Sequence, residues 1–486
     1  LSFATPEWVK EAIFYQIFPD RFARSARMTA QPGISLKPWG SSPSEEGFQG
    51  GDLYGIIDKL DHLQSLQVNA LYLTPVFASA SNHRYHPYDY FNVDPLLGGN
   101  DALRALLDAC HERGIRVVLD AVLNHTGRGF WPFHHILENG GNSPYRDWFH
   151  IHDWPLRPYS SDKDNHHNYD SWWNLPELPK LNTSNPGVRQ YLLNVAKYWI
   201  EFGADGWRID AAGEIKDDSF WQEFRNVVKS VNPDAWLCGE EWYVASKWLK
   251  GDMFDAVMNY PLGTAAISFF GKSTLRTGYF PDPSEELVPL NAEQFAGEIK
   301  TLQSAYGNEL LKGQLNSFGS HDTARIFWTI GDNQNALKQL VLFQMTAPGA
   351  PCIYYGDEIG MSSAGLPHCR EAVPWDELAQ WNQPVLDFYR EYTALRRQFD
   401  CLQTGEFDIL YAEGDVFAFT RIKGEQCAVI AFNTGDRDES LVLDLPAKAE
   451  SFKGYVGNAE FRETEDKQLV EIALPANGSL LAVTTD

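Results

Sequence analysis

The sequence predicts a (β/α)8 barrel with an irregular subdomain inserted after its third strand and an antiparallel β-sandwich at its C-terminal end. Three observations carry that expectation. Over the first 400 residues, amphipathic helical stretches alternate with short, almost continuously apolar runs. Eight such runs occur, and apolar strands alternating with helices mean parallel strands covered by helices. Beyond residue 400 the apolar period changes to two. A doubly wound open sheet would use the same units, but no Gly-x-Gly-x-x-Gly follows any of the runs. Eight units with insertions fit the barrel.

The elements follow in order. The first strand falls at residues 12–18, and Ile56, Ile57, Leu60 and Leu63 lie at helical spacing before a second strand, Ala70–Leu73. Leu103, Leu106, Leu107 and Cys110 repeat the helix, Gly114 stops it, and residues 115–122 form the third strand. Residues 124–185 then show no clear period and are rich in Trp, Asn, Pro and His, so they read as a subdomain over one rim. Its histidines include His150, His152, His166 and His167. They fit polar loop contacts better than a zinc site, because no HxxxH helix or Cys partner accompanies them. Val188, Tyr191, Leu192, Val195 and Trp199 precede the fourth strand (206–212), and Phe220, Phe224, Val227 and Val231 the fifth (235–239). The remaining strands fall at 256–260, 315–320 and 351–355. In the last segment Phe407/Ile409/Tyr411, Phe417/Phe419 and Ala428/Ile430/Phe432 alternate with polar residues, the mark of antiparallel strands. The expected divisions are a barrel of 1–123 and 186–400, an insert of 124–185, and a sandwich of 401–486.

Composition excludes some partners. The net charge is −25, from 65 acidic and 40 basic residues. Such a surface repels phosphate backbones and anionic lipid, so neither nucleic acid nor a membrane is an expected partner. A neutral ligand such as an oligosaccharide is compatible, and 16 tryptophans offer faces for sugar rings. No apolar run reaches 18 residues, and the first residues hold no apolar stretch of signal-peptide length. The six cysteines lack CxxC spacing, which points to free thiols in a reducing cytoplasm.

The chemistry-bearing residues cluster where a barrel keeps its active site, at the C-terminal ends of strands. The third strand ends Asp120-Ala-Val-Leu-Asn124-His125, the fourth Arg208-Ile-Asp210, the fifth Gly239-Glu240-Glu241-Trp242, and the seventh His321-Asp322. Asp210, Glu240 and Asp322 therefore converge on one mouth from different strands. Like charges gathered there demand a cation or a catalytic role. Arg208, two residues before Asp210, points to the same face and would keep that carboxylate charged. Glu241 is a rival to Glu240, but successive strand residues alternate direction, so only one of them faces the site.

These segments resemble the four motifs of the α-amylase superfamily (glycoside hydrolase family 13), and the resemblance spans nearly the whole chain. The motifs are Asp-Ala-Val-Leu-Asn-His (120–125), Gly-Trp-Arg-Ile-Asp (206–210), Gly-Glu (239–240) and Ser-His-Asp (320–322). The resemblance implies that Asp210 is the nucleophile, Glu240 the acid/base and Asp322 a stabiliser that binds substrate hydroxyls. It implies too that Asp120 braces Arg208, with Asn124 supporting the site, and that His125 and His321 bind the sugar being cleaved. Leu178-Pro-Lys-Leu-Asn182 is similar to the short motif of neopullulanases, cyclomaltodextrinases and maltogenic amylases. The stretch Ser81-Asn-His83-Arg-Tyr85 resembles their loop in which Tyr85 stacks under the reactive sugar, and Trp242 would form a wall for the leaving glucan. The segment Pro351-Cys-Ile-Tyr-Tyr-Gly-Asp-Glu358 is also typical of the family.

Two departures stand out. Relatives often hold calcium on an Asn/Asp-rich loop after Pro-Asp-Arg-Phe, whereas residues 23–30 offer no carboxylate or amide ligand, although Gly50-Gly51-Asp52 is kept. Calcium wants six or more oxygen ligands, so no cofactor or metal is expected. Relatives also often carry an N-terminal β domain that builds a dimer and encloses the site. This chain begins almost at its first strand, so a homodimer would use another surface and the cleft would be more open. The expected activity is hydrolysis, with retention, of α-1,6 and α-1,4 bonds in malto-oligosaccharides and branched α-glucans, with debranching the preferred emphasis. A cyclomaltodextrinase or maltogenic amylase that mainly transglycosylates shares every catalytic residue. A non-catalytic carbohydrate-binding or transporter-associated relative typically lacks the complete carboxylate set that this chain has.

Overall fold

The computed structural model describes residues 5–28, 33–159, 166–277, 286–445, 451–457, 461–463 and 469–484. Eight parallel strands form its central sheet: β1 (Phe14–Ile17), β2 (Ala70–Leu73), β3 (Arg116–Ala121), β4 (Gly206–Ile209), β5 (Trp236–Gly239), β6 (Ala256–Val257), β7 (Leu315–Ser317) and β8 (Ala350–Tyr354). Their hydrogen-bonded order is β6-β5-β4-β3-β2-β1-β8-β7. A parallel bridge between Met258 and Leu315 joins β6 to β7, and the Asn259 amide donates to the Leu315 carbonyl at 2.7 Å. The sheet closes into a barrel.

Strand alternation sorts the side chains. Phe14, Ala70, Tyr72, Val118, Trp236, Cys238, Met258 and Cys352 point inward and fill the barrel with one compact cluster. Ile13, Tyr15, Leu71, Val117, Leu119 and Leu237 belong to the larger cluster shared with the surrounding helices. Each strand is thus buried on both faces, which is why its sequence reads as almost continuously apolar. The helices carry their own start signals. Asp217, Asn185 and Asn333 cap the helices Asp218–Val231, Pro186–Glu201 and Gln334–Thr346 through their side-chain oxygens, and Asn291 with Gln294 forms a capping box on Ala292–Leu311.

Several strands are shorter than the apolar runs suggest. β6 ends at Val257, and Tyr260 opens the helix Tyr260–Gly271 with Pro261 in its first turn. Proline fits a first helical turn, which the apolar count alone does not register. β4 ends at Ile209 because the chain turns at Asp210 and Ala211, the latter at φ 44° and ψ 46°.

Between β3 and the helix at Pro186, a helix (Trp131–Asn139) and isolated antiparallel bridges tie the chain together: His125–Lys180, Phe149–Leu181, Ile151–Tyr169 and Ser171–Pro179. The histidines here make polar contacts: His152 with Asp170 at 2.7 Å and His167 with Ser171 at 2.9 Å. At the C-terminal end, strands Glu406–Glu413, Val416–Lys423, Gln426–Asn433, Ser479–Thr484 and Phe452–Val456 make one antiparallel sheet. Glu439–Asp444, Leu469–Leu474 and Phe461–Glu463 make a second. Ala418, Val429 and Ala431 pack with Leu441, Leu443 and Ile472 between the sheets. The other face of the larger sheet offers Phe417, Phe419 and Phe432 to Phe269, Phe270, Phe295 and Phe343 on the barrel helices.

Candidate active site

Arg208 organises the mouth of the barrel. Its side chain points inward from β4 and is almost fully buried. Nη1 donates to Asp120 Oδ1 and Oδ2 at 3.0 Å each and to Asp210 Oδ1 at 3.1 Å, while Nη2 lies 3.1 Å from Glu240 Oε2. Three carboxylates from three strand ends thus share one guanidinium. Burial works against the Arg208 charge, but Asp120 and Glu240 outweigh it and hold the group protonated well above its ordinary range.

The carboxylates are crowded in return. Burial pushes Asp120 up to about 6 against the pull of Arg208, Tyr85 and Tyr72. Burial, then Glu240, push Asp210 well above the usual carboxylate range, with Arg208 opposing. Crowding and burial thus work against ionising Asp120 and Asp210, and Arg208 works for it. Asp210 Oδ2 is buried and has no hydrogen-bond partner. Glu240 Oε2 accepts the Ala211 amide at 2.8 Å. Its Oε1 accepts the Trp242 indole N–H at 3.2 Å. Ala211 reaches it through its left-handed conformation.

A second chain of hydrogen bonds supports Asp120. Tyr72 and Tyr85 each donate a hydroxyl to Asp120 Oδ2 at 2.8 Å. Tyr85 Oη is also 2.7 Å from His321 Nε2, and Gln16 Nε2 lies 2.8 Å from His321 Nδ1. Since the Tyr85 proton goes to Asp120, His321 must donate from Nε2 and accept at Nδ1 from Gln16. That fixes a neutral tautomer. Burial, with Arg370 and Arg208 nearby, lowers His321 well below its usual range. The Tyr85 and His321 rings lie parallel within 5° at 5.3 Å.

The other expected residues surround this core. His125 is 3.2 Å from the Tyr85 carbonyl through Nε2, takes a long contact of 3.4 Å from Asn124 Nδ2, and is pushed down to about 3 by burial. The His83 Nδ1 accepts the Tyr85 amide at 3.1 Å, so it shapes the loop that carries Tyr85. Asp322 pairs with Arg370 at 3.2 Å, and Arg370 also donates to the His321 carbonyl at 2.9 Å. Trp242 stacks on Tyr260 at 3.7 Å and 4°, so one of its faces is covered within the protein. Glu241 is buried, and its Oε1 would lie 3.0 Å from a Cβ on Gly213. Both glutamates follow the end of β5 at Gly239, and of the two it is Glu240 that reaches Arg208.

Gln16, Tyr72, Tyr260, Ala211 and Arg370 are the residues that sequence reasoning missed. Gln16 carried a signal: a polar side chain inside an apolar strand is worth a question, because it needs a buried partner.

At the loop after β1, a protein cation stands among the oxygens. Arg24 Nε donates to the Gln49 carbonyl at 2.5 Å and Nη2 to the Lys37 carbonyl at 2.7 Å. The Asp20 carboxylate accepts from the Gln49 and Gly50 amides and from Arg21, and Asp52 from Ser25 and Gly55. Residues 29 and 30 of the expected calcium segment lie outside the described residues. Among the described residues, no group of three or more His, Cys, Asp or Glu side chains could hold a metal ion.

A closed parallel barrel with an Arg-linked carboxylate cluster at its C-terminal mouth defines a glycoside hydrolase of the α-amylase class. Residues 16–385 match the α-amylase catalytic domain, and the chain belongs to that family. It is 40% identical to a cyclomaltodextrinase of Geobacillus thermopakistaniensis, covering 99% of this chain and 78% of that protein. It is 41% identical to neopullulanase 2 of Thermoactinomyces vulgaris over 91% of this chain and 73% of that one. Among solved structures, the native Nostoc punctiforme debranching enzyme superposes with a TM-score of 0.91 at 41% identity, covering 100% of both chains. Among the described residues no helix is long and apolar enough to cross a membrane. All six cysteines are free and buried.

Proposed function

We propose that the protein hydrolyses α-1,6 and α-1,4 glucosidic bonds in malto-oligosaccharides and branched α-glucans with retention of configuration. Asp210 acts as nucleophile, Glu240 as acid/base and Asp322 as the group that binds substrate hydroxyls. The observation that carries the reading is Arg208 contacting Asp210 through one nitrogen and Glu240 through the other. One guanidinium thus holds both carboxyls against a common point. Retaining glycosidases work with such a pair about 5–5.5 Å apart.

In the first step Glu240 gives its proton to the glycosidic oxygen as Asp210 Oδ2 attacks the anomeric carbon. The bond to the leaving sugar breaks and a glycosyl ester forms. In the second step water adds to the anomeric carbon, its proton returns to Glu240, and the Asp210 carboxylate is released. The net result is retention. Desolvation of Asp210 favours both its neutral form and, once charged beside a cationic transition state, its reactivity. Arg208 supplies the charge that lets the ionised form persist. Tyr85, His83, His125, His321 and Trp242 line the sugar-binding surface, with Asp120 and Asn124 as supports.

Resemblance to a debranching enzyme over the full chain supports the emphasis on branch points. Likeness to a cyclomaltodextrinase supports the rival, in which a sugar hydroxyl replaces water in the second step. The free cysteines suit a reducing compartment such as the cytoplasm. Product analysis on a branched maltodextrin, pullulan, β-cyclodextrin and maltoheptaose decides among them. Linear chains released from the branched substrate, with pullulan and cyclodextrin poorly used, are expected. Preferential attack on cyclodextrin would reject debranching, and no cleavage of any substrate would favour a binding protein.

A further inference from the structure

Trp173 is the most conspicuous side chain that the catalytic reading leaves unused. It is 74% exposed, although large aromatic rings are normally buried. Its backbone adopts φ 52° and ψ 24°, and Asn174 follows at φ 59°. Asparagine tolerates that left-handed region; a bulky aromatic rarely occupies it, and doing so costs free energy. The fold thus holds a tryptophan in a strained conformation with its ring in solvent. A core contact does not account for that.

The ring is continuous with the active site. Trp173 stacks on Trp172 at 4.7 Å and 17°. Trp172 stacks in turn on His125 at 5.2 Å and 13°, and His125 contacts the carbonyl of Tyr85. Two ring steps thus lead from the catalytic mouth to an exposed indole. Trp172 is engaged with both neighbours and is partly buried, so the open aromatic surface of this tier is that of Trp173. The exposed Asn174 beside it adds an amide. An aromatic face for the C–H side of a pyranose, with an amide for its hydroxyls, is the chemistry that recognises a glucosyl ring. A tryptophan also supplies it at low cost in conformational entropy.

We propose that Trp173 and Asn174 form an outer glucosyl-binding subsite, on the rim beyond His125, that favours longer α-glucan chains. The inference rests on the glucan-hydrolase reading above. It makes Trp173 a specificity residue rather than a catalytic one.

The test is the ratio of kcat/KM for maltoheptaose to kcat/KM for maltotriose. Trp173→Ala should lower that ratio about tenfold, the factor equivalent to about 1.4 kcal/mol of binding, and Trp173→Phe should restore much of it. Trp173→Gly should lower the ratio as Ala does but melt higher than Trp173→Ala, because both lose the ring and only glycine relieves the strain at φ 52°. A wild-type enzyme that cleaves both substrates, with a ratio unmoved by Trp173→Ala, would overturn the subsite and leave the hydrolase reading standing. So would a Trp173→Ala variant that turns a dimer into a monomer at an unchanged ratio. A wild-type protein that cleaves neither substrate would overturn the hydrolase reading itself.

Discussion

Arg208 Nη1 holds Asp210 through Oδ1 at 3.1 Å and leaves Oδ2 buried without a hydrogen bond. One oxygen is fixed and the other is free to form a bond. Asp210→Asn keeps the shape and the packing but removes the nucleophilic charge. Turnover should fall by about four to six orders of magnitude, the range seen when an essential nucleophile is lost. The melting temperature should change little, as measured by circular dichroism. Near-normal hydrolysis would reject the assignment.

The choice between adjacent glutamates gives a second prediction. Burial pushes Glu241 up to about 7, above an unfolded value of about 4.3. The folded state therefore pays to ionise it above pH 7, and that cost disappears as pH falls towards the unfolded value. Glu241→Gln carries no such cost. Its Tm should exceed that of the wild type by a few degrees at pH 8, and the gap should shrink by pH 5. Turnover should survive in Glu241→Gln and collapse in Glu240→Gln on unactivated glucans. A pH-independent gap would contradict the buried placement.

Tyr85 bridges Asp120 and His321 through one hydroxyl. Tyr85→Phe keeps the ring but removes a hydrogen bond to a charged group, of the kind worth about 1.5–3 kcal/mol. Asp120 retains Tyr72 and Arg208, so the fold should survive. The kcat/KM on maltoheptaose should drop about tenfold or more, with Tm lowered by a few degrees. An unchanged Tm would mean that the bridge carries no stability.

Arg24 crosslinks the loop after β1 through two carbonyl oxygens. Arg24→Ala should therefore lower Tm in a thermal melt, and, since the segment 23–30 offers no carboxylate or amide ligand, a chelator should leave Tm and activity unchanged. A chelator-induced loss of stability, reversed by calcium, would contradict this account of the loop.

The barrel was legible because parallel strands buried on both faces cannot hide their apolar composition, and the helices between them carry a clear period. The mouth was legible because Asp120, Arg208, Asp210, Glu240 and Asp322 all lie at or just past strand ends, where a barrel gathers its polar groups. Arg370 was not legible: it reaches Asp322 from a single 3-10 turn, His368–Arg370, too short to show a period. Ala211 escaped for a different reason, since its contribution is a backbone amide turned by a left-handed φ. The partners of Trp242 depend on where Tyr260 begins its helix, a boundary that apolar patterning blurs. Local period fixes elements; contacts between loops need three dimensions.

The nucleophile can be read directly by mass. Glu240→Gln incubated with an α-maltosyl fluoride, whose leaving group needs no acid, should accumulate a glycosyl ester because no base activates water. Peptide mapping by mass spectrometry should place that adduct on Asp210. An adduct on Glu241 or Asp322, or no adduct while fluoride is released and the β-anomer forms, would contradict the retaining mechanism proposed here.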